Sequence, residues 1–190
     1  MSDKPENQIY QHFYVARQPI FDNNGKTFGY ELLYRANRDI NHAVISHENF
    51  PPICVATSAL IRSQDNIDHT MKVCINFTES LILEGAPRGL PASATVVEVL
   101  ESVPPTEEIL NEIRSLQKDG YLIALDDYMG AAEHTPFLDI ADIIKVDIYG
   151  RDSDWIRDIF TKIKDKEALK LAEKVDNRDV LNRSEERRVG

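Results

Sequence analysis

Single polar side chains recur at or near the C-terminal ends of apolar runs along this chain. They are Glu31 in Gly29-Tyr30-Glu31-Leu32-Leu33, Asn76 in Cys74-Ile75-Asn76-Phe77, Glu98 in Val96-Val97-Glu98-Val99, the pair Asp126-Asp127 after Ile123-Ala124-Leu125, Lys145 in Ile144-Lys145-Val146-Asp147, and Glu173 in Leu171-Ala172-Glu173-Lys174. Carboxylates gathered on one rim raise one another's pKa and are costly to bury unless cations offset them. An oxygen-rich set of carboxylates with one amide suits Mg²⁺ or Mn²⁺, and a pair of such ions is a recurrent device for cleaving phosphodiesters. Lys145 would be the one cationic side chain of this ring, able to hold an attacking water or to offset charge in a transition state. Each position alone has an ordinary reading: a strand-end Glu as a solvated rim residue, an Asp-Asp pair as a cap or turn, a lone Asn as a bulge. Their recurrence on successive apolar runs favours a joint site. The histidines (His12, His42, His47, His69, His134) lack metal-ligand spacing and read as surface or turn residues, and neither a Gly-rich phosphate loop nor a Ser/His/Asp order is present.

Such a ring needs a scaffold that brings many strand ends to one place. The chain supplies alternating strands and helices. Residues 13–20 and 27–35 read as extended runs around Phe21-Asp22-Asn23-Asn24-Gly25-Lys26, whose residue types tolerate positive φ, so a hairpin is expected. A helix is expected from Pro51-Pro52 through Ile61, followed by a strand over 72–77. Strands at 95–100, 121–125, 143–148 and 169–174 alternate with helices at 105–119 and around 155–163. In the first of those helices Ile109, Ile113 and Leu116 share a face, Glu107 and Glu108 occupy the first turn, and Gly120 follows the end. This alternation predicts an α/β fold with a parallel sheet, of the TIM-like (β/α) barrel kind, in which active sites gather at the C-terminal ends of the strands. Glu31 and Arg35 share one strand face and lie about 13 Å apart if that strand is regular.

The bulk properties narrow the function classes. A formal net charge of −10 argues against a polymeric nucleic acid or an anionic membrane as partner, while leaving room for a small phosphorylated ligand held through cations. Cys54 and Cys74 both lie in apolar stretches and read as small buried hydrophobes in a reducing compartment. No stretch approaches the roughly 18 uninterrupted apolar residues of a membrane span, so a cytoplasmic, soluble protein is expected. Residues 1–12 read as a polar N-terminal segment, 13–182 as one domain, and 183–190 (Arg-Ser-Glu-Glu-Arg-Arg-Val-Gly) as a non-native tail that resembles a translated sequencing adapter.

At these residues the sequence resembles the EAL-domain family of cyclic-di-GMP phosphodiesterases, from about residue 13 to about 182. Its opening, Ala16-Arg17-Gln18-Pro19-Ile20-Phe21-Asp22 followed by Gly29-Tyr30-Glu31-Leu32-Leu33-Tyr34-Arg35, is similar to the branch in which an EAL domain precedes an HDOD domain. The resemblance implies a barrel of the EAL type, here incomplete at the C-terminus because the final strand with its glutamine is missing. It implies that Glu31, Asn76, Glu98 and Asp126 hold one Mg²⁺ or Mn²⁺, and that Asp126, Asp127 and Glu173 help to hold a second. Lys145 and Glu173 would form the catalytic set, with Lys145 assisting the nucleophilic water, and Arg35 would meet a phosphate of the ligand. Two departures point toward a degenerate, regulatory or ligand-binding role in bacterial cyclic-di-GMP signalling, with a protein partner or a homodimer as its output. The loop after the paired aspartates reads Tyr128-Met129-Gly130-Ala131 where active members have Phe-Gly-Thr-Gly, and Ala172-Glu173-Lys174-Val175-Asp176 stands for Ala-Glu-Gly-Val-Glu. The alternative is a metal-dependent phosphodiesterase that opens cyclic-di-GMP to the linear dinucleotide.

Overall fold

Apolar strands whose side chains alternate between two differently furnished faces organise the chain. The computed structural model describes residues 14–22, 24–35, 54, 57 and 71–175. Among them, seven strands form one sheet in consecutive order: β1 (Tyr14–Phe21), β2 (Thr27–Arg35), β3 (Lys72–Phe77), β4 (Thr95–Val99), β5 (Leu122–Leu125), β6 (Ile143–Asp147) and β7 (Leu169–Glu173). β1 and β2 are antiparallel, and every later neighbour is parallel. The helices are α1 (Glu79–Leu83), α2 (Glu107–Lys118), α3 (Thr135–Leu138) and α4 (Ser153–Lys162). This is the (β/α) barrel architecture expected from the alternation, with β1 and β7 as the two ends of the described sheet.

The expected hairpin is held by Asp22, whose Oδ1 accepts from the backbone N–H groups of Asn24 at 2.8 Å and Lys26 at 2.9 Å, while Gly25 takes φ +74°. The turn sets the register, pairing Gln18 with Glu31 and Ala16 with Leu33. β2 then meets β3 through Gly29, which lies opposite Lys72. A Cβ built on Gly29 would stand 2.3 Å from the Lys72 carbonyl oxygen, so only glycine lets these strands approach. Gly29→Ala is expected to cost about 3 kcal/mol, the upper range for forcing atoms into a close-packed site. Equilibrium urea unfolding of the two proteins checks this.

The outer face of the sheet buries Val73, Ile75, Phe77, Val97, Val99, Ile123, Leu125, Ile144 and Val146 in one cluster with Ile109, Ile113 and Leu116 of α2 and Ile159 of α4. Thr106 caps α2 by accepting from Ile109 N–H at 3.3 Å, and Asp152 caps α4 by accepting from Asp154 and Trp155 N–H groups. That cap starts α4 before the apolar residues that signalled it. The segment between β3 and β4, silent in the sequence pattern, holds α1 and a 3₁₀ turn at Ala86–Gly89. Arg88 ties the turn to α2 and its C-cap through Glu112, Ser115 at 2.9 Å and Asp119 at 2.8 Å. The helix expected over 51–61 lies largely outside the described residues, though Cys54 and Thr57 are helical. Both cysteines are free thiols, Cys74 fully buried and Cys54 half-buried. Among the described residues no helix is long and apolar enough to cross a membrane.

The inner face is different. Cys74, Val96, Ala124 and Ile143, one from each of four neighbouring strands, form a small apolar cluster with Ile20. Because side chains alternate along a strand, the residues two positions further on share that face. They are Asn76, Glu98, Asp126 and Lys145, with Glu173 two beyond Leu171 on β7 and Glu31 two beyond Gly29 on β2. An apolar layer thus forms the floor beneath a polar one.

Candidate metal centre

The polar layer converges on one nitrogen. Lys145 is only 1% exposed, and its Nζ lies 2.7 Å from Asp126 Oδ1, 2.9 Å from Glu173 Oε1, 3.0 Å from Glu98 Oε1 and 3.7 Å from Glu31 Oε2. Four strands, β2, β4, β6 and β7, and the end of β5 therefore meet at a single point, although Glu31 and Glu173 lie near opposite ends of the described chain. Asn76 joins the ring by donating from Nδ2 to Glu31 Oε1 at 3.5 Å. Its strand pairs without a bulge from Val73 to Phe77, so the bulge reading of this Asn does not apply.

Backbone bonds fix the ring as firmly as side chains do. Asp126 N–H donates to Val99 C=O at 3.0 Å, and Tyr128 N–H donates to Lys145 C=O at 2.9 Å. The second bond joins the loop after β5 to the very residue whose side chain binds Asp126. Asp127 turns the chain with φ +43°, a left-handed conformation that non-glycine residues adopt at a cost. Gly130, at φ +84°, lets the loop approach α4, since a Cβ there would lie 2.8 Å from Ile159 Cδ1. Tyr128 is buried in the outer core. The altered loop is thus anchored at both ends despite having one glycine in place of two.

Electrostatics follow from burial. Glu98 is fully buried, and desolvation, reinforced by Glu31 and Asp126, pushes its pKa up to about 8 against the opposing pull of Lys145. Desolvation likewise raises Glu173 to about 7, with Asp126 and Glu31 adding to it and Lys145 opposing. Burial alone would lower the Lys145 amine, but Glu98, Asp126, Glu173 and Glu31 outweigh it and hold the amine above its ordinary value. Asp127 is raised by burial and by Asp126. At the rim, burial pushes Asp147 up, but the Lys174 ammonium and the Tyr149 N–H outweigh it and hold the carboxyl below its usual range. Lys174 itself takes φ +53°, the second non-glycine residue with positive φ among those described.

The donor set fits a hard divalent cation. Both Glu98 carboxylate oxygens, Asn76 Oδ1 and Asp127 Oδ1 are buried without a hydrogen-bond partner. Glu98 Oε1 is paired with the Lys145 ammonium at 3.0 Å, so the oxygens without any polar partner are Glu98 Oε2, Asn76 Oδ1 and Asp127 Oδ1. Buried oxygens without donors are rare because each costs roughly 1–3 kcal/mol. Buried carboxylate and amide oxygens of this kind are the ligand types that a hard divalent cation accepts.

Asp127 does not reach the Lys145 ring. It groups instead with Asp126 and Glu101, whose ligand oxygens lie within 4.8 Å of one another. The sequence pattern does not mark Glu101. It follows the end of β4 in an exposed turn, and its one signal was its position three residues after Glu98. Arg35 closes β2, and its side chain lies outside the described residues.

No family model matches the chain. It is 29% identical over 170 residues to the uncharacterized protein YuxH of Bacillus subtilis, covering 87% of this chain and 42% of that one. It is 33% identical over 147 residues to the cyclic di-GMP phosphodiesterase CdgJ of Vibrio cholerae, covering 71% of this chain and 32% of that one. The chain therefore spans less than half the length of either relative. Among solved structures, the EAL enzyme Bd1971 in its cAMP- and cyclic-di-GMP-bound form superposes with a TM-score of 0.73 at 18% identity, covering 92% of this chain and 58% of that one. Bacillus subtilis YkuI, solved with cyclic-di-GMP and calcium, gives 0.68 at 18% identity, covering 92% of this chain and 51% of that one. A standalone EAL protein of Vibrio cholerae gives 0.65 at 21%, covering 92% of this chain and 86% of that one. With its consecutive strand order, its inward ring and these likenesses, the chain has the fold of the EAL domains.

Proposed function

We propose that this chain is a cyclic-di-GMP-binding EAL domain of bacterial signalling, which takes its ligand at the mouth of the ring through a divalent cation. The observation that carries the reading is the convergence of Glu31, Glu98, Asp126 and Glu173 on one point, with Glu98 Oε2 and Asn76 Oδ1 of the same layer buried without a hydrogen-bond partner. Glu31, Asn76, Glu98 and Asp126 would hold one ion, and Asp126, Asp127 and Glu173 would help to hold a second. A bound Mg²⁺ or Mn²⁺ supplies positive charge against the phosphodiester oxygens, which an acidic ring would otherwise repel. The apolar floor of Cys74, Val96, Ala124 and Ile143 closes the site from below and keeps its dielectric low. Arg35, at the end of β2, is the cationic residue for a ligand phosphate. A cytoplasmic location and output through a protein partner or a second copy complete the reading.

One observation favours a second reading, hydrolysis to the linear dinucleotide. Lys145 and Glu173 stand 2.9 Å apart at the ring beside Glu31, Glu98 and Asp126, and a relative at 33% identity is a phosphodiesterase. In that reading Glu173 and Lys145, paired at 2.9 Å, would orient the attacking water, while Lys145 offsets charge on the attacked phosphate. Incubation of the chain with cyclic-di-GMP and Mn²⁺, followed by chromatography, separates the two. Unchanged nucleotide that co-elutes with protein supports the binding module; linear dinucleotide supports the enzyme.

The cation requirement has a thermal signature. An ion that binds only the folded chain at about 100 times its Kd adds about 2.7 kcal/mol, which is about 5–10 °C for a protein of this size. Mg²⁺ or Mn²⁺ is expected to raise the melting temperature by that order, and Asp126→Asn to remove most of the rise. An unmoved wild-type transition at millimolar ion would reduce the ring to a buried acidic patch.

A further inference from the structure

We infer that Lys174 is a ligand-binding residue of this site, an ammonium at the mouth that meets a phosphate of the dinucleotide directly, in addition to the cations of the ring. This rests on the reading of the ring as a cyclic-di-GMP site. Lys174 follows Glu173, the last residue of β7, and its Nζ pairs with Asp147 Oδ2. Asp147 ends β6 two residues beyond Lys145 and four beyond Ile143 of the apolar floor, so it stands on the inner face one layer above the ring. The two strand ends are tied together there, with Ile148 N–H donating to Glu173 C=O at 3.3 Å. The Lys174–Asp147 pair therefore lies at the edge of the mouth, where 56% of the lysine side chain meets solvent.

The backbone sets this lysine apart from an ordinary rim residue. Its φ of +53° is a left-handed conformation that a side chain occupies at a cost, shared among the described non-glycine residues only by Asp127 at the same mouth. Strain of this kind clusters at ligand sites. The ammonium has three N–H donors, and Asp147 Oδ2 accepts one of them. An exposed ion pair contributes little by itself, so the amine can turn toward a phosphate, or share itself between the two, at small cost. Asp127 and Glu173 also act on the ammonium through their charge. Once cations of the ring neutralise those two carboxylates, Asp147 is the partner that an incoming phosphate would have to share. A cyclic dinucleotide carries two phosphates, and Arg35 at the end of β2 is the candidate for one of them. Lys174 adds a cationic contact from the end of another strand.

The test is calorimetric titration of cyclic-di-GMP into the full chain at Ca²⁺ saturating for each protein, comparing wild type with Lys174→Gly, Lys174→Met and Lys174→Arg. Lys174→Gly removes the ammonium together with the backbone strain, and Lys174→Met removes the ammonium alone. Both are expected to bind about tenfold more weakly than wild type, a change of about 1.4 kcal/mol, while Lys174→Arg, which keeps the charge, loses less. Added NaCl should narrow the gap between wild type and Lys174→Met, because a contact made by an exposed charge is screened. Lys174→Gly should melt near the wild-type temperature, so that its weaker binding does not come from unfolding; if it fails to fold, Lys174→Met decides. Equal or tighter binding by the uncharged variants overturns the inference and leaves the dinucleotide site standing. A loss matched by an equal loss of Ca²⁺ affinity, titrated without nucleotide, also overturns it, because the lysine then acts through the ion. No binding by wild type overturns both.

Discussion

Replacing Lys145 with methionine should lower the stability of the metal-free protein by about 3–5 kcal/mol, the usual cost of breaking a buried ion pair by removing one partner. The methylene stem of lysine would be replaced by a side chain of similar length, so the loss would come from charge and not from a cavity. What remains is Glu98 at zero exposure, facing Asp126, Glu173 and Glu31 with nothing positive among them. Some of these carboxyls would bind protons to relieve the repulsion, so the loss should be smaller at pH 5 than at pH 8. Adding Glu98→Gln to Lys145→Met should restore part of the stability, because an amide there needs neither a counter-charge nor a bound proton. Urea unfolding of the wild type, both single variants and the double variant, in chelator, measures the coupling between them. Additive losses would show that Lys145 and Glu98 do not share one electrostatic unit.

The second large effect is on pH dependence, and its sign is unusual for a protein rich in carboxylates. Glu98, raised to about 8, and Glu173, raised to about 7, hold their protons in the folded chain where the unfolded chain has already released them. Their contribution to stability is fully present below their unfolded pKa values near 4.5 and is lost as pH rises through about 7 to 8. Asp127, raised by burial, acts in the same direction. Asp147, held below its usual range, contributes above its unfolded value and loses that contribution only in acid, outside this window. Lys145, raised above its usual value, contributes throughout it. The melting temperature in chelator should therefore fall between pH 5 and pH 8. Saturating Mg²⁺ should flatten or reverse the slope, since the ion selects ionised carboxylates. A melting temperature that climbs over this range in chelator would show that the ring carboxyls are ionised without help.

Much of this site is legible in the sequence, and for a simple reason. Strand residues alternate faces, so a polar residue such as Glu98 in an otherwise apolar run has few places to point other than a shared interior. The same regularity gave β2, β3 and β6 nearly to the residue. It could not give the hub. Lys145 is recognisable as one polar residue among several, but that its ammonium meets four carboxylates depends on the stagger between strands, which pairs Glu98 with Ala124 and Lys145 with Leu171. Glu101 escaped because it lies past the strand end, where alternation no longer constrains direction. The short α1 and α3 were missed for a related reason: at five and four residues they are too short to show a helical period. Lys174 stands where the resemblance has a glycine, and it keeps the left-handed backbone while its amine pairs with Asp147.

The central claim is that the ring takes a cyclic dinucleotide through a divalent cation, and calorimetric titration of cyclic-di-GMP into the full chain tests it most directly. Ca²⁺ is the ion to use, because it accepts oxygen ligands with a looser geometry than Mg²⁺, and so separates binding from turnover. Saturable binding with Ca²⁺ present, abolished by chelator and by Asp126→Asn, is the expected result. Binding of equal strength in chelator, or none with Ca²⁺ at millimolar concentration, would contradict it.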